Sequence, residues 1–188
     1  MHRDSLWEIV KLYGIPQRYV RLFQNIYLNS SCCVKTDTGN TDFFDMVTGV
    51  RQGCILSLML FLLVVDFVMC KATEEPEMGI KWKDQSRLND LNFADDIALL
   101  AESREKLQTI TSKLVKNAKR VGLRISVEKT KTMLVGEAQI NVSITNEQKP
   151  IESVNQFTYL GSTLTCDGDT EVDIKCRIGK ASAAFQRL

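Results

Sequence analysis

Histidine is almost absent from this chain: His2 stands alone among 188 residues. The six cysteines, Cys32, Cys33, Cys54, Cys70, Cys166 and Cys176, form no CxxC pair. Together these two shortages exclude a zinc ribbon or finger, which needs four such ligands at short spacings. The cysteines read instead as reduced thiols of a nuclear or cytoplasmic protein, with Cys54 and Cys70 placed in apolar surroundings as small hydrophobes. Charge of one sign is also lacking, for the formal net charge is +1. The molecule as a whole therefore has no basic footprint, and any case for nucleic acid must rest on local charge. Long apolar runs are missing as well. The best of them, Cys54 to Val65, is followed by Asp66 and falls short of the about 20 residues that a bilayer core of about 30 Å requires. It reads as a buried helix, and no membrane partner is expected. No charged segment leads into an apolar stretch at the N-terminus, so a secretory signal is not expected either.

What is present is the profile of a globular domain, with 44% apolar and 25% charged residues and no repeat or low-complexity stretch. Ser5 and Glu8 form a capping box ahead of Leu6, Ile9, Val10 and Leu12, and Gly14 supplies a stop. Pro16 suits a first helical position, after which Tyr19, Leu22, Phe23, Ile26 and Tyr27 recur at the spacing of one buried helical face. The β-prone runs Cys32 to Lys35 and Phe43 to Val47 flank the turn-rich Asp37-Thr38-Gly39-Asn40 and predict a hairpin. A helix follows from about Ile55 to Lys71, broken by Glu74, Glu75, Pro76 and Glu77. Leu91 to Ala94 and Ile97 to Ala101 predict a second hairpin, with Asp95-Asp96 as its two-residue turn. Ser103 can cap the next helix, whose face is Leu107, Ile110, Leu114, Ala118 and Val121 and whose end is Gly122. Strand-like pieces follow near Thr132 to Val135, Ile140 to Ile144 and Phe157 to Leu164. A last helix begins near Thr170, with Ile174, Ile178, Ala181, Phe185 and Leu188 on one face. Strands and helices mix without strict alternation, so the expected class is α+β.

The sharpest chemical feature is Phe93-Ala94-Asp95-Asp96. Two carboxylates at a hairpin tip concentrate negative charge at a fixed place, which suits hard divalent cations such as Mg²⁺. Asp is also a favoured turn residue, so this pair taken alone carries a purely conformational reading as well. From Glu102 to Lys131 nine basic residues face three acidic ones, Glu102, Glu105 and Glu128. That excess is compatible with phosphate backbones. A solvated helix face explains it equally well.

The context of the acidic pair points further. Gly49-Val50-Arg51-Gln52-Gly53-Cys54-Ile55-Leu56-Ser57 resembles the B motif of non-LTR (LINE-type) retrotransposon reverse transcriptases, and Phe93 to Asp96 resembles their C motif. Gly122-Leu123-Arg124-Ile125-Ser126 with Lys129-Thr130-Lys131 is similar to motif D. Phe157-Thr158-Tyr159-Leu160-Gly161 resembles the primer grip, and Cys166-Asp167-Gly168 through Arg177-Ile178 to Ala184-Phe185 resembles the start of the thumb. Order and separation both fit, and four motifs in order are far more specific than one.

The resemblance implies an RNA-directed DNA polymerase working on an RNA template, a DNA primer and deoxynucleoside triphosphates through two Mg²⁺ ions. It implies a palm with partial fingers over residues 1–165, in which a small antiparallel sheet packs on the helices near Ile55 to Lys71 and Ser103 to Val121, and the beginning of a thumb helix over residues 166–188. Asp95 and Asp96 would be the catalytic metal ligands, Asp95 first. Gly49, Arg51, Gln52 and Gly53 would line the nucleotide and template pocket, against the plainer reading of a helix-entry loop. Lys129 and Lys131 would lie near the triphosphate, against a solvated charge run. Tyr159, Leu160 and Gly161 would position the primer end, against ordinary strand packing for Tyr159. Two departures stand out: Leu58 occupies a position where the family usually has Pro, and Ser126 one where Asn is common. The family's A motif, with the first catalytic Asp, precedes a segment like His2 to Trp7 and is not in these 188 residues; Asp4 does not inherit its role. Residues 1–188 alone are therefore expected to be a fragment with little or no polymerase activity, or a non-catalytic remnant that binds RNA.

Overall fold

The computed structural model describes residues 1–75, 77–83, 86–136 and 143–187. The expected break at Pro76, the start of the strand at Ile140 and the last apolar residue, Leu188, lie outside the described residues. The order of elements is α1 (Arg3–Leu12), α2 (Gln17–Tyr27), β1 (Ser31–Cys32), β2 (Lys35–Thr36), β3 (Gly39–Asn40), β4 (Phe44–Asp45), α3 (Ile55–Ala72), β5 (Ile80–Lys81), β6 (Arg87–Leu88), β7 (Asp90–Phe93), β8 (Asp96–Leu99), α4 (Arg104–Arg120), β9 (Lys131–Thr132), β10 (Thr145–Asn146), β11 (Lys149–Pro150), β12 (Glu152–Ser153), β13 (Gln156–Tyr159), β14 (Ser162–Thr165) and α5 (Glu171–Phe185). The α+β class is as expected. The chain divides into two compact units, residues 1–74 with 116–124 and residues 75–115 with 125–188.

In the first unit, α1 begins at Arg3 with His2 as its N-cap and no side-chain cap, so the Ser5–Glu8 capping box is not formed. Tertiary bonds take its place. The N–H of His2 donates to Val121 O at 2.8 Å, and the Met1 amino group donates to Gly122 O at 2.7 Å. Gly14 ends α1 as expected, with its N–H on Lys11 O and that of Ile15 on Val10 O, the paired bonds of a Schellman motif. Pro16 is the N-cap of α2 rather than its first helical residue.

The apolar stripe foreseen on α2 is largely a surface. Val20 and Tyr27 are buried, whereas Tyr19, Leu22 and Ile26 are exposed, Leu22 by 52%. Periodicity marks a stripe but does not name the neighbour that covers it, and only one edge of this stripe meets the rest of its unit. Tyr27 is the centre of that contact. Its ring lies 5.9 Å from that of Trp7, the Arg3 guanidinium sits 5.1 Å from its centroid, and its hydroxyl pairs with Ser57 Oγ at 2.6 Å. The β1–β4 and β2–β3 pairings nest one hairpin inside another, as the turn at residues 37–38 predicted.

Helix α3 buries Leu60, Val64, Val65, Val68, Met69 and Ala72, but Ile55 at its start is 90% exposed. Its buried character thus belongs to its later turns. Its 18 residues, apolar but for Ser57, Asp66 and Lys71, are long and apolar enough to cross a membrane by length and composition, so it is longer than the run expected from the sequence; a single such helix is equally what a core helix looks like. Cys54 and Cys70 are both exposed, not set among apolar neighbours. The reason is geometric: they lie at the uncovered start and on the outer side of α3.

In the second unit, Ser103 Oγ accepts the N–H of Lys106 at 3.3 Å and caps α4 as expected. Ile110 and Leu114 are buried, and Leu107 packs with Leu134 on Ile144 and Ile151. The small sheet resolves, among the described residues, into separate two-stranded ladders. One of them, β9 with β12, is parallel. Helix α5 starts where expected, yet no residue of it is buried, and its apolar face, Ile174, Ile178 and Phe185, is exposed.

Gly122 closes α4 in a second Schellman motif, with its own N–H on Lys119 O and that of Leu123 on Ala118 O. Its φ is +72°, a region that costs a side-chain-bearing residue about 1–2 kcal/mol. A Cβ there would also stand 2.7 Å from the His2 ring, whereas one at Gly14, with φ +76°, would meet nothing within 4 Å. Gly14→Ala and Gly122→Ala should each lower stability by about 1–2 kcal/mol in urea titration. The larger loss should fall on Gly122→Ala, and truncating His2 to Ala in the same background should remove the difference.

Candidate functional site

The β7–β8 ladder pairs Asp90 with Leu99, Leu91 with Ala98, Asn92 with Ile97 and Phe93 with Asp96. Its two loop residues are therefore Ala94 and Asp95, one position earlier than the sequence suggested. Ala94 adopts φ +56°, and a positive φ at the first loop residue alone is the signature of a type II′ turn. Asp95 sits in the loop and Asp96 opens β8, both exposed at the tip. The two carboxylates thus leave the backbone from different local geometries, one from a turn and one from a paired strand.

The β13–β14 hairpin, closed by Leu160 at φ +49° and Gly161 at φ +86°, reaches this ladder. The Tyr159 hydroxyl donates to Leu91 O at 3.0 Å, and Asp96 O lies 3.4 Å away as a second acceptor. Partial burial raises the phenol's pKa, and the nearby carboxylates of Asp96 and Asp90 add to that rise. Asp90 also accepts from Asn92 Nδ2. Helix α5 in turn grips β14: Asp173 accepts the N–H of Thr163 at 2.7 Å and Arg177 Nε at 2.8 Å, while Arg177 also donates to Ser162 Oγ. The Thr163 N–H, with help from Arg177, holds the Asp173 carboxyl below its usual pKa.

The two lysines differ. Lys131, on β9, forms an ion pair with Glu152 on its neighbour β12. Lys129 is exposed, its N–H bonded to Ser126 Oγ at 3.4 Å, and among the described residues it has no ion pair. Ser126 O also accepts from the N–H and hydroxyl of Thr130. In the first unit, the Gly49 loop is tied to α1: the N–H of Gly49 donates to Met1 O at 2.9 Å and its carbonyl accepts from Arg3 Nε at 3.2 Å. Arg51, Gln52 and Gly53 are exposed. A Cβ on Gly49 or Gly53 would meet nothing within 4 Å, but their φ values of +75° and +81° call for glycine. Backbone angle rather than room is what this loop demands. A groove of about 640 Å³ in the same unit, lined among others by Asp4, Trp7, Gln24, Phe67 and Arg120, includes none of the expected site residues.

Asp95 and Asp96 offer the hard oxygen donors that suit Mg²⁺. Their number is short of a complete site. Among the described residues no group of three or more His, Cys, Asp and Glu is placed to hold a metal ion.

A family model described as reverse transcriptase (RNA-dependent DNA polymerase) matches residues 2–164. The chain belongs to the reverse transcriptase family. It is 30% identical over 174 residues to the retrovirus-related Pol polyprotein from type-2 retrotransposable element R2DM of Drosophila melanogaster, covering 87% of this chain and 16% of that protein. It is 27% identical over 186 residues to the corresponding polyprotein from type-1 retrotransposable element R2 of Nasonia vitripennis, covering 92% of this chain and 18% of the relative. A 149 kDa protein of transposon TX1 from Xenopus laevis is 24% identical over 132 residues. The chain thus spans less than a fifth of the length of the curated R2 relatives it matches. These similarities make it a reverse transcriptase domain of the non-LTR retrotransposon type.

The two departures from the reverse transcriptase motifs acquire a physical meaning in the structure. The N–H of Leu58 donates to Cys54 O at 3.2 Å, a bond that proline cannot make, so α3 is able to start at Ile55. Ser126 uses its side-chain oxygen as a turn acceptor, a task that Asn performs equally well. Sequence reasoning missed the bond between Tyr159 and the acidic hairpin. Its partners lie 68 and 63 residues away, and no local pattern signals such a pairing.

Two outcomes follow from this geometry. Ala94→Val should cost about 1–2 kcal/mol in urea titration, because a β-branched residue resists positive φ, whereas Ala94→Gly should be close to neutral. Because the folded-state pKa of Asp173 is depressed, its hold on Thr163 is complete above the ordinary carboxylate value of about 3.9 and fades as the pH falls through the lower folded value. The protection of the Thr163 amide, the unstructured exchange rate divided by its own at the same pH, should accordingly fall as the pH drops below the ordinary carboxylate value of about 3.9, and Asp173→Asn should remove that dependence.

Proposed function

We propose that this chain carries the palm of a retroelement polymerase that synthesises DNA on an RNA template, with partial fingers over residues 1–165 and the start of the thumb over residues 166–188. One observation carries the reading: the acidic Asp95–Asp96 hairpin and the primer-grip-like Tyr159–Gly161 hairpin, 63 residues apart in sequence, are hydrogen-bonded side by side. A polymerase needs a primer end held beside its metal-binding carboxylates, and this pairing provides that adjacency.

In the proposed reaction the primer 3′-hydroxyl attacks the α-phosphate of a deoxynucleoside triphosphate and pyrophosphate leaves. Asp95 and Asp96 would hold divalent ions together with a third carboxylate from outside residues 1–188. When bound, two Mg²⁺ ions make the hydroxyl a better nucleophile and offset charge on the leaving oxygen. Leu160 and Gly161 would face the primer end. Gly49, Arg51, Gln52 and Gly53 would contact nucleotide and template. Lys129, exposed and without an ion pair among the described residues, is the better placed of the two lysines to meet a triphosphate, since Lys131 must first leave Glu152. A second reading, a non-catalytic module that binds RNA, is favoured by one fact: no set of three metal ligands is assembled among the described residues.

Homopolymer-primed extension separates the readings. Residues 1–188 alone should extend primer at least about a hundredfold more slowly than a form lengthened upstream to include the first catalytic Asp, and Asp95→Asn or Asp96→Asn should abolish extension by the longer form. Equal activity of the short form would sink the three-carboxylate argument. Extension by neither form, with RNA binding retained, would establish the second reading.

A further inference from the structure

The Tyr159 side chain has a single hydroxyl proton, and the fold commits it to partners within the chain. It donates to Leu91 O on β7 at 3.0 Å and stands 3.4 Å from Asp96 O on β8. One phenol therefore spans both strands of the ladder whose tip carries Asp95 and Asp96. The reach toward Asp96 is to its main chain, which leaves the carboxylate of that residue uncommitted by this contact. Meanwhile the turn that follows Tyr159 points its own side chain outward, with Leu160 52% exposed and the backbone of Leu160–Gly161 in the left-handed region.

We propose that Tyr159 is a positioning residue for the acidic hairpin rather than a primer contact: its hydroxyl clamps β7 to β8 and so fixes where the Asp95 and Asp96 carboxylates stand, leaving contact with the primer end to Leu160 and Gly161. The division of labour follows from the geometry. A two-stranded ladder is marginal on its own, and it twists or frays most easily at its tip, where the carboxylates are. A donor that reaches a carbonyl on each strand resists both motions. The clamp is itself anchored, because β13 pairs with β14 over four residue pairs and β14 is held by Asp173 and Arg177 of α5. Phenylalanine at 159 would keep the ring and its packing and remove only the clamp.

This inference rests on the polymerase reading above, and Tyr159→Phe tests it by two independent measurements. The first is amide hydrogen exchange of residues 93–98 in the 188-residue chain, which needs no activity. The clamp predicts exchange roughly fivefold to tenfold faster, the factor matching one typical net hydrogen bond, with exchange in α4 unchanged. The second is steady-state extension by the upstream-lengthened form. There kcat should fall by a similar factor while the KM values for primer and for deoxynucleotide stay within about twofold, and Leu160→Ala should do the reverse, raising the primer KM. Unchanged exchange at residues 93–98 would overturn the clamp. So would a raised primer KM with unaltered kcat in Tyr159→Phe. Should no form of the protein extend a primer, the polymerase reading fails on that result and the exchange measurement alone decides the clamp.

Discussion

A two-stranded ladder with two adjacent carboxylates at its tip cannot hold them still unaided, and the chemistry proposed for this chain depends on how that weakness is met. Hairpins of this size are marginal in water. Support arrives in steps. Helix α5 fastens β14 through Asp173 and Arg177, β14 pairs with β13, and β13 presents Tyr159 to both strands of the acidic ladder. Each step is a hydrogen bond to backbone or to a short side chain, so position is transmitted with few soft torsions between. Among the described residues no buried apolar sheet does this work.

The first unit solves a related problem by burial. Tyr27 brings an aromatic contact with Trp7, a cation over its ring from Arg3 and a hydroxyl pair with Ser57 into one place. Arg3 then donates to Tyr27 O and to Gly49 O. The segment resembling the B motif is thereby held at two points, Gly49 at its start and Ser57 at its end, while Arg51 to Gly53 between them stay open. A loop fixed at both ends and free in the middle suits the approach of a ligand. Such a buried hydroxyl pair is expensive to half-remove, because the remaining group is left without a partner.

The sequence was most legible where a local rule acts alone. Ser103, Gly14 and Gly122 cap or end helices as their chemistry dictates, and the nested hairpin around residues 37–38 follows from turn residues. It was less legible where a distant partner overrides the local rule. The Ser5–Glu8 box lost to bonds from Met1 and His2 to residues 121–122. The stripe on α2 and the face of α5 were real periodicities with no cover to name. At the acidic hairpin the two strands were foreseen, but the turn slipped by one because Ala94, not Asp95, takes the positive φ. Tyr159 and Ser57 stand within recognisable motifs, yet their hydrogen-bond partners could not be foreseen, since they meet them only through the fold.

Local charge illustrates the same limit. The basic stretch through α4 looked like a candidate phosphate surface, yet three of its nine basic residues are already in ion pairs: Lys106 with Glu102, Lys113 with Glu75 and Lys131 with Glu152. Glu75 and Glu152 come from outside the stretch, so a count along the chain overstated the excess that the fold presents. Ion pairs near the surface are worth only about 0–1 kcal/mol. A phosphate group, which offers more acceptors and a larger charge than one carboxylate, can therefore displace Glu152 from Lys131 at small cost. The pairing does not remove Lys131 from the proposed site; it sets a modest threshold that a triphosphate has to exceed, and that Lys129, unpaired among the described residues, does not impose.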